Sequence, residues 1–488
     1  MKWYSPLADL RIVPIGIRDG FQEDIAVMDN SVTFDQELIV RYGGRGPRYT
    51  SYPTALQFEQ KFTAEDYRQQ VAASNASDRP LSLYVHVPFC KTLCYYCACN
   101  KIVTRNAERV QNYMRALYTE IDMQADLFDA GRPVEQLHFG GGTPTYLANE
   151  QLKDLMRQLG SAFSLDASEE REFSIEVDPR SVDTESMALL AELGFNRLSL
   201  GVQDFDPTVQ HAVNRIQTAQ DVQGLLDDAR RHGFKSVSFD LIYGLPHQTV
   251  ESFDRTLTQV IAMRPDRLAI YNYAHLPDRF KGQRMIHERD IPAPETKLDI
   301  LGRTIEKLGT AGYVYIGMDH FALPGDELVQ AQHEGSLQRN FQGYSTHAAC
   351  DLIGLGVSAI GSIGESFAQN TPSTIEYEAL IGEHKLPLKR GLVVDADDQL
   401  RASVISALMC YDHLNYDEFD RQHDIDFREY FARELQMLQT LEQDGLVTVD
   451  DDAIRISGTG RLLLRSIAMV FDRYLNAEQN DGRFSRAI

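Results

Sequence analysis

The sequence predicts an α/β protein: a partial (βα)6 barrel, TIM-like in its repeat, with an N-terminal arm and a mainly helical, winged-helix-like C-terminal domain. Three observations predict it. From about residue 80, short apolar runs alternate with stretches of helical period. Repeated strand–helix units with apolar strands imply a parallel sheet covered by helices. The alternation supplies about six units and stops after about residue 370, short of the eight that close a barrel. A doubly wound sheet is the architectural alternative.

Taken in order, residues 1–45 form an extension. Asp9, Arg11 and Arg18 interrupt its start, so it lacks the apolar run of a signal peptide. Up to about Met28 it shows no firm periodicity; a disordered arm and an alternative start at Met28 both fit. Residues 46–80 are expected to be an arm packed on the barrel, which spans 81–365. The strands are LSLYVHV (81–87), VEQLHF (134–139), EFSIEV (172–177), RLSLGV (197–202), SVSFDL (236–241) and RLAIYN (267–272). Between them lie helical patterns such as ERVQNYMRALYTEIDMQADLF, TESMALLAELG and AQDVQGLLDDARRHG, the last two ending at helix-stopping glycines. Residues 370–488 change character. LRASVISALMC and YFARELQMLQTLEQDG read as helices, GLVTVDDDAIRIS as a hairpin, and GTGRLLLRSIAMVFDRYL as a closing helix. That order is winged-helix-like, but Asp450, Asp451 and Asp452 at the hairpin tip repel phosphate. A packing or lid role is therefore favoured over DNA binding.

Composition narrows the function. The 488 residues carry 48 Lys and Arg against 71 Asp and Glu, a formal net charge of −23. That excess argues against nucleic acid and against an anionic membrane surface as the main partner. No run approaches the ~18 apolar residues of a membrane span, and a monomeric, cytoplasmic protein is expected. An anionic small substrate would need local Arg or Lys to override the global field. Six cysteines are too few for a disulfide scaffold. Four of them crowd into Cys90-Lys-Thr-Leu-Cys94-Tyr-Tyr-Cys97-Ala-Cys99, directly after the first strand. Structural zinc usually joins two separated ligand pairs, and no second pair stands elsewhere at comparable spacing. Three thiolates on one loop suit three irons of a [4Fe–4S] cube and leave the fourth iron open to a ligand. Zinc, and a non-enzymatic electron carrier with Cys99 as fourth ligand, stay as rivals. Cys350 and Cys410 read as bystanders.

In a (βα) barrel, functional groups gather at the C-terminal ends of the strands. Gly140, Gly141, Gly142 and Thr143 follow the second strand, Glu176 lies in the third, Gln203 ends the fourth, Asp240 lies in the fifth, and Asn272, Tyr273 and Ala274 close the sixth. Each alone is equally well explained as a turn or a structural hydrogen bond. Together they outline one site facing the cysteine loop.

The pattern C-x-x-x-C-x-x-C, with the aromatic Tyr96 before its third cysteine, resembles in full the signature of the radical S-adenosylmethionine enzymes. Further stretches resemble one branch, the oxygen-independent coproporphyrinogen III oxidases. They are GPRYTSYPTA (46–55), YVHVPFCKTLCYYCACNKIVTR (84–105), FGGGTPTYL, SIEVDPR, GVQDFDPTVQHAVNR, DLIYGLPHQT, NYAHLP and RNFQGYSTH, the last followed by DLIGLGVSAIG. The resemblance runs from about Tyr42 to the C-terminus and is dense through residue 363. It implies that a 5′-deoxyadenosyl radical, made from S-adenosylmethionine (SAM) at a [4Fe–4S] cluster, takes hydrogen from the β-carbons of two propionates of coproporphyrinogen III. Each propionate then loses carbon dioxide and an electron to become a vinyl group of protoporphyrinogen IX, an intermediate of haem and other porphyrins. A flavodoxin- or ferredoxin-type electron donor is implied as a partner.

The resemblance also assigns residues. Cys90, Cys94 and Cys97 would ligate the cluster. Tyr84, Gly141, Glu176, Ala274 and Ile360 would hold the SAM on it. Tyr96, Gly142, Thr143, Gln203, Arg215 and Asp240 would line a second SAM position. Cys99 is the branch's additional cysteine, required for activity and not a ligand. Arg48 and Arg339, in motif-rich segments outside the strand pattern, are candidates for the substrate propionates, with an exposed structural role as the commoner expectation. The VNRIQ, YSTHAACD and GSIGES stretches depart in detail from the branch. Its nearest rival is the haem-chaperone branch, whose members carry H-N-x-x-Y-W and lack the counterpart of Cys99. Here the single tryptophan is Trp3.

Overall fold

The structure, a computed structural model, describes residues 32–77, 79–347 and 349–475. The expectations for the start of the N-terminal extension fall outside the described residues. All six strands form where the sequence places them: β1 Leu81–Val87, β2 Pro133–Gly141, β3 Glu172–Val177, β4 Arg197–Gln203, β5 Ser236–Tyr243 and β6 Arg267–Asn272. Each pairs in parallel with the next. Helices α1 (Ala107–Ala125), α2 (Asn149–Ala162), α3 (Thr184–Glu192), α4 (Ala219–Arg231) and α5 (Val250–Met263) connect them, and α6 (Pro294–Thr310) follows β6. The turns after α3 and α4 run through Gly194 and Gly233 with φ of +92° and +79°, a region that a side chain disfavours. Strand order 1-2-3-4-5-6 lacks the reversal that defines a doubly wound sheet.

The barrel stays open. Past β6 the sheet ends in two short antiparallel strands, β7 (Val314–Gly317) and β8 (His320–Ala322), in the order β6-β8-β7. On the other side β9 (Asp351–Leu355) adds parallel to β1. Antiparallel β10 (Ile360–Ile363), β11 (Ser366–Asn370) and β12 (Leu388–Val393) follow it. The parallel strand β9 is an addition to the six expected; it is short and no helix follows it, so it carries no strand–helix signature.

Side chains alternate along these strands. Leu83, Val85, Phe139, Ile175, Leu198, Leu200, Phe239 and Leu241 are buried in the main core beneath the helices. Tyr84, His138, Glu176, Ser199, Gln203 and Asp240, on the opposite face, stay partly accessible. In a closed eight-stranded barrel the inward side chains fill the interior. Here the ring is incomplete and the inward residues are small or polar, which leaves a lumen.

The C-terminal segment forms a second core. It contains α7 (Ala396–Tyr411), α8 (Tyr416–His423), α9 (Phe427–Tyr430), α10 (Ala432–Gln443) and a three-stranded sheet of β13 (His413–Asn415), β14 (Val447–Val449) and β15 (Ala453–Ile456). The expected YFARELQ helix breaks at Phe431, whose ring is fully buried against Phe427 and Phe471. The expected closing helix is also corrected. Only Leu464–Ala468 is α-helical, between 3₁₀ turns Gly460–Leu463 and Met469–Phe471. Arg461 and Arg465 in it are buried; Arg461 pairs with Asp412, while Arg465 donates to the carbonyls of Gly46 and Pro47. These tertiary contacts win over helix regularity. Tyr49 and Tyr52 of the arm belong to this second core, and the Tyr49 hydroxyl donates to Asp472 Oδ2 at 3.0 Å.

Candidate active site

Phe89–Cys90 pairs with Ile102–Val103 and closes the cysteine loop at the C-terminal end of β1. The loop is held from two sides. Tyr95 N–H donates to Val213 O (3.0 Å), and Asn214 Nδ2 donates to Leu93 O (2.8 Å). Gln283 Nε2 donates to Tyr96 O (2.9 Å) and to Ala274 O (3.2 Å), tying the loop to the chain after β6.

All six cysteines are free; Cys90 and Cys94 are buried, Cys97 partly so, and Cys99 exposed. A donor meets each of the three motif sulfurs. Thr143 Oγ1 lies 3.5 Å from Cys90 Sγ, Arg180 Nη2 and Arg215 Nη1 each lie 3.5 Å from Cys94 Sγ, and the Cys99 N–H lies 3.4 Å from Cys97 Sγ. Donors and cations around sulfur favour the thiolate, the form that binds iron. Burial pushes the Cys90 thiol up to about 11, so it would ionise by binding metal rather than unaided. Among the described residues no three His, Cys, Asp or Glu side chains converge on one point. Cys90, Cys94 and Cys97 nonetheless stand on one loop with a donor at each sulfur, and a cube gives each thiolate its own iron. The residues present therefore fit a [4Fe–4S] cluster.

The glycine run after β2 has protein neighbours that explain it. A Cβ on Gly140 would lie 3.0 Å from Tyr84 Cε2 and from Glu176 Oε1. On Gly141, with φ of +117°, it would meet the His86 ring at 2.8 Å. On Gly142 it would meet the Pro88 backbone at 2.7 Å, directly below Cys90. The run lets β2 close against β1 and the cysteine loop.

Tyr84, Gly141 and Glu176 come together. Gly141 N–H donates to Glu176 Oε2 at 3.1 Å, His138 Nε2 lies 3.5 Å from Glu176 Oε1, and the His138 ring stacks on Tyr84 at 5.8 Å. Ile360 joins them: Tyr84 is in register with Gly354, and a Cβ on Gly354 would meet the Ile360 carbonyl carbon at 2.8 Å. Asp240 Oδ2 accepts from Ser199 Oγ at 3.0 Å. Burial, with the charge of Glu176 added, pushes its carboxyl up to about 7. Gln203 ends β4 with φ of +68°, a costly conformation for a side-chain residue. Arg215 is buried and committed to protein partners: Gly201 O, Asp178 Oδ2 and Cys94 Sγ. Its guanidinium is thereby held in place by the protein.

Asp178, Arg180 and Gln283 also support the site. Asp178 takes both Arg180 (2.7 Å) and Arg215 (3.2 Å), so one carboxylate positions both guanidiniums at Cys94. Asp178 and Arg180 stand in the SIEVDPR stretch, which was signal enough. Gln283 had none. Arg48 and Arg339 are not ordinary surface side chains. Arg48 pairs with Asp319 and lies over the Tyr271 ring at 5.6 Å, and Arg339 lies over Tyr344 at 4.8 Å. A cavity of about 260 Å³, lined by Tyr52, Ser82, Gln136, Arg339 and Asp351, opens toward the N-terminal ends of β1 and β2 and reaches none of the clustered thiols.

Comparison with known proteins agrees with this geometry. Residues 84–260 match the family model described as the radical SAM superfamily, and residues 394–463 match that described as the HemN C-terminal domain. The chain is 50% identical over 461 residues to the oxygen-independent coproporphyrinogen III oxidase of Pseudomonas aeruginosa, covering 94% of this chain and 100% of the relative. It is 50% identical over 457 residues to that of Escherichia coli, covering 94% and 99%. The solved structure of coproporphyrinogen III oxidase (HemN) from Escherichia coli, described as a radical SAM enzyme, superposes with a TM-score of 0.87 at 49% identity, over 91% of this chain and 100% of the other.

Proposed function

The chain belongs to the oxygen-independent coproporphyrinogen III oxidases of the radical SAM superfamily, and from that premise we propose that it converts coproporphyrinogen III to protoporphyrinogen IX without oxygen. One observation carries the reading beyond membership: three sulfurs on one loop, each met by a donor, adjoin a lumen lined by Tyr84, Gly141, Glu176 and Asp240.

A [4Fe–4S] cluster and SAM, when bound, would supply the radical chemistry that the substrate's propionates require. The chain binds, orients and shields. Cys90, Cys94 and Cys97 ligate the cluster, with Arg180 and Arg215 balancing charge at Cys94. Tyr84, Gly141, Glu176, Ala274 and Ile360 hold the first SAM; Glu176 keeps lone pairs for an ammonium or ribose hydroxyl after accepting from Gly141 N–H. Tyr96, Gly142, Thr143, Gln203, Arg215 and Asp240 line the second SAM position, Arg215 as a fixed positive charge rather than as a fork. Cys99 acts beside the cluster, not on it: its N–H serves Cys97 Sγ and its side chain is exposed. A flavodoxin- or ferredoxin-type protein reduces the cluster, and the enzyme works as a monomer. Residues 46–80 form the arm, 81–365 the radical SAM barrel, and 370–488 an accessory lid.

The test is an anaerobic assay with reconstituted protein, reductant, SAM and coproporphyrinogen III. The reading expects protoporphyrin fluorescence after oxidation. An intact cluster that yields 5′-deoxyadenosine but no protoporphyrin would refute it.

A further inference from the structure

A further group of polar side chains gathers beside the lumen. Arg48 comes from the arm, His320 from β8, and Arg339 and Gln342 from the hairpin formed by Gln338–Asn340 and Gly343–Ser345. Tyr271 and Tyr344 hold them together. His320 packs edge-on against both rings, at 6.2 and 5.3 Å. Arg48 lies over Tyr271, Arg339 over Tyr344, and Arg339 Nε donates to Arg48 O at 3.2 Å. A Cβ on Gly343, next to Gln342, would sit 3.5 Å from His320 Nε2.

Three buried polar atoms in this group have no hydrogen-bond partner: Arg339 Nη1, His320 Nδ1 and Gln342 Nε2. Folded proteins rarely leave such atoms unpaired, and here all three can donate, His320 in its Nδ1-protonated tautomer. The local charge is positive. Desolvation and then Arg339 lower Arg48 to about 10; desolvation and then Arg48 and Arg339 lower Arg465 to about 9. Arg48 forms an ion pair with Asp319. The group also borders the reaction site: Asp240 is in register with Ala269, which shares a face of β6 with Tyr271.

We propose that Arg48 and Arg339 bind one propionate carboxylate of coproporphyrinogen III inside the lumen, with His320 and Gln342 completing its contacts and Arg465 positioning the arm through the carbonyls of Gly46 and Pro47. The proposal rests on the substrate reading above and deepens it. A guanidinium fork matches a carboxylate with two parallel hydrogen bonds. Two forks beside unpaired donors give an acidic chain the local field that a tetra-anionic substrate needs. Arg465, set in the C-terminal domain, makes that domain part of the substrate site rather than a cover alone.

The test titrates anaerobic holoenzyme with coproporphyrin III, a stable oxidised tetracarboxylate, by fluorescence quenching. Arg339→Gln and Arg48→Gln should each weaken binding by about 10- to 150-fold, the loss of one charge-assisted hydrogen bond or pair, while SAM affinity stays within about twofold. The tetramethyl ester should bind the unaltered enzyme weakly and lose nothing further in the variants. Should a variant misfold, the unaltered enzyme decides: bound coproporphyrin III should protect Arg48 from phenylglyoxal, mapped by peptide mass spectrometry. Folded variants that bind the porphyrin like the unaltered enzyme, or equal labelling of Arg48 with and without it, overturn the assignment. If the unaltered enzyme binds the porphyrin and turns over substrate, that failure leaves the function standing. If it does neither, both fall.

Discussion

Replacing Asp240 with asparagine separates what the lumen costs the fold from what it gives the cofactor. The Asp240 carboxyl lies on the inner face of β5, and burial raises it from 3.8 to about 7. A shift of about 3 units corresponds to ~4 kcal/mol; because the lumen admits water, about 2 kcal/mol is the expected effect. The folded protein holds this proton more tightly than the unfolded chain. Stability from the group is therefore full below about pH 4 and is lost as pH rises through about 7. Asparagine removes that loss and keeps a carbonyl for Ser199. In urea titrations of cluster-free protein followed by circular dichroism, Asp240→Asn should be more stable by roughly 1–3 kcal/mol at pH 8 and within about 1 kcal/mol at pH 5. Binding should move the other way. If SAM selects the ionised carboxyl, affinity in the unaltered enzyme rises roughly tenfold from pH 6 to pH 8, as the ionised fraction goes from about 0.1 to about 0.9. In Asp240→Asn it should be weaker and flat with pH, measured by equilibrium dialysis. A variant less stable than the unaltered protein at pH 8, or one with the same affinity profile, would show Asp240 to be a structural acid and refute the reasoning.

Other substitutions probe the loop and its supports. Gly142→Ala drives a Cβ to 2.7 Å from the Pro88 backbone; it should destabilise the protein by about 1–3 kcal/mol and lower the iron bound per chain on reconstitution. Asp178→Asn removes the charge that faces two buried or half-buried guanidiniums; a loss near 3 kcal/mol is expected in denaturant unfolding, together with an altered cluster reduction potential. Cys99→Ser should keep full iron content and cluster absorbance yet lose protoporphyrinogen formation; a loss of iron instead would make Cys99 a ligand.

The sequence made the barrel legible because its strands are apolar runs at regular intervals, and each of the six forms within two residues of its reading. The site was legible where chemistry and spacing coincide, as in Cys90, Cys94 and Cys97, and where polar residues mark strand ends, as with Glu176, Gln203 and Asp240. It was less legible where position depends on tertiary packing. Gln283 bridges Tyr96 O and Ala274 O from a 3₁₀ turn that has no sequence signature. Arg215 takes its acceptors, Gly201 O and Asp178 Oδ2, from separate elements that no local pattern links to it. Arg48 and Arg339 stood outside the strand pattern, and tertiary contacts bring them together: the rings of Tyr271 and Tyr344 and the hydrogen bond from Arg339 to Arg48 O. The closing helix failed for the same reason: Arg461 and Arg465 serve long-range acceptors rather than a helical surface.

The most direct test of the account is a Mössbauer spectrum of the ⁵⁷Fe-reconstituted protein with and without SAM. If Cys90, Cys94 and Cys97 hold a cube with one open iron, a single iron site should change its isomer shift when SAM is added, and Cys99→Ser should give the same spectra. A spectrum unchanged by SAM, with all irons equivalent and sulfur-ligated, would contradict the account.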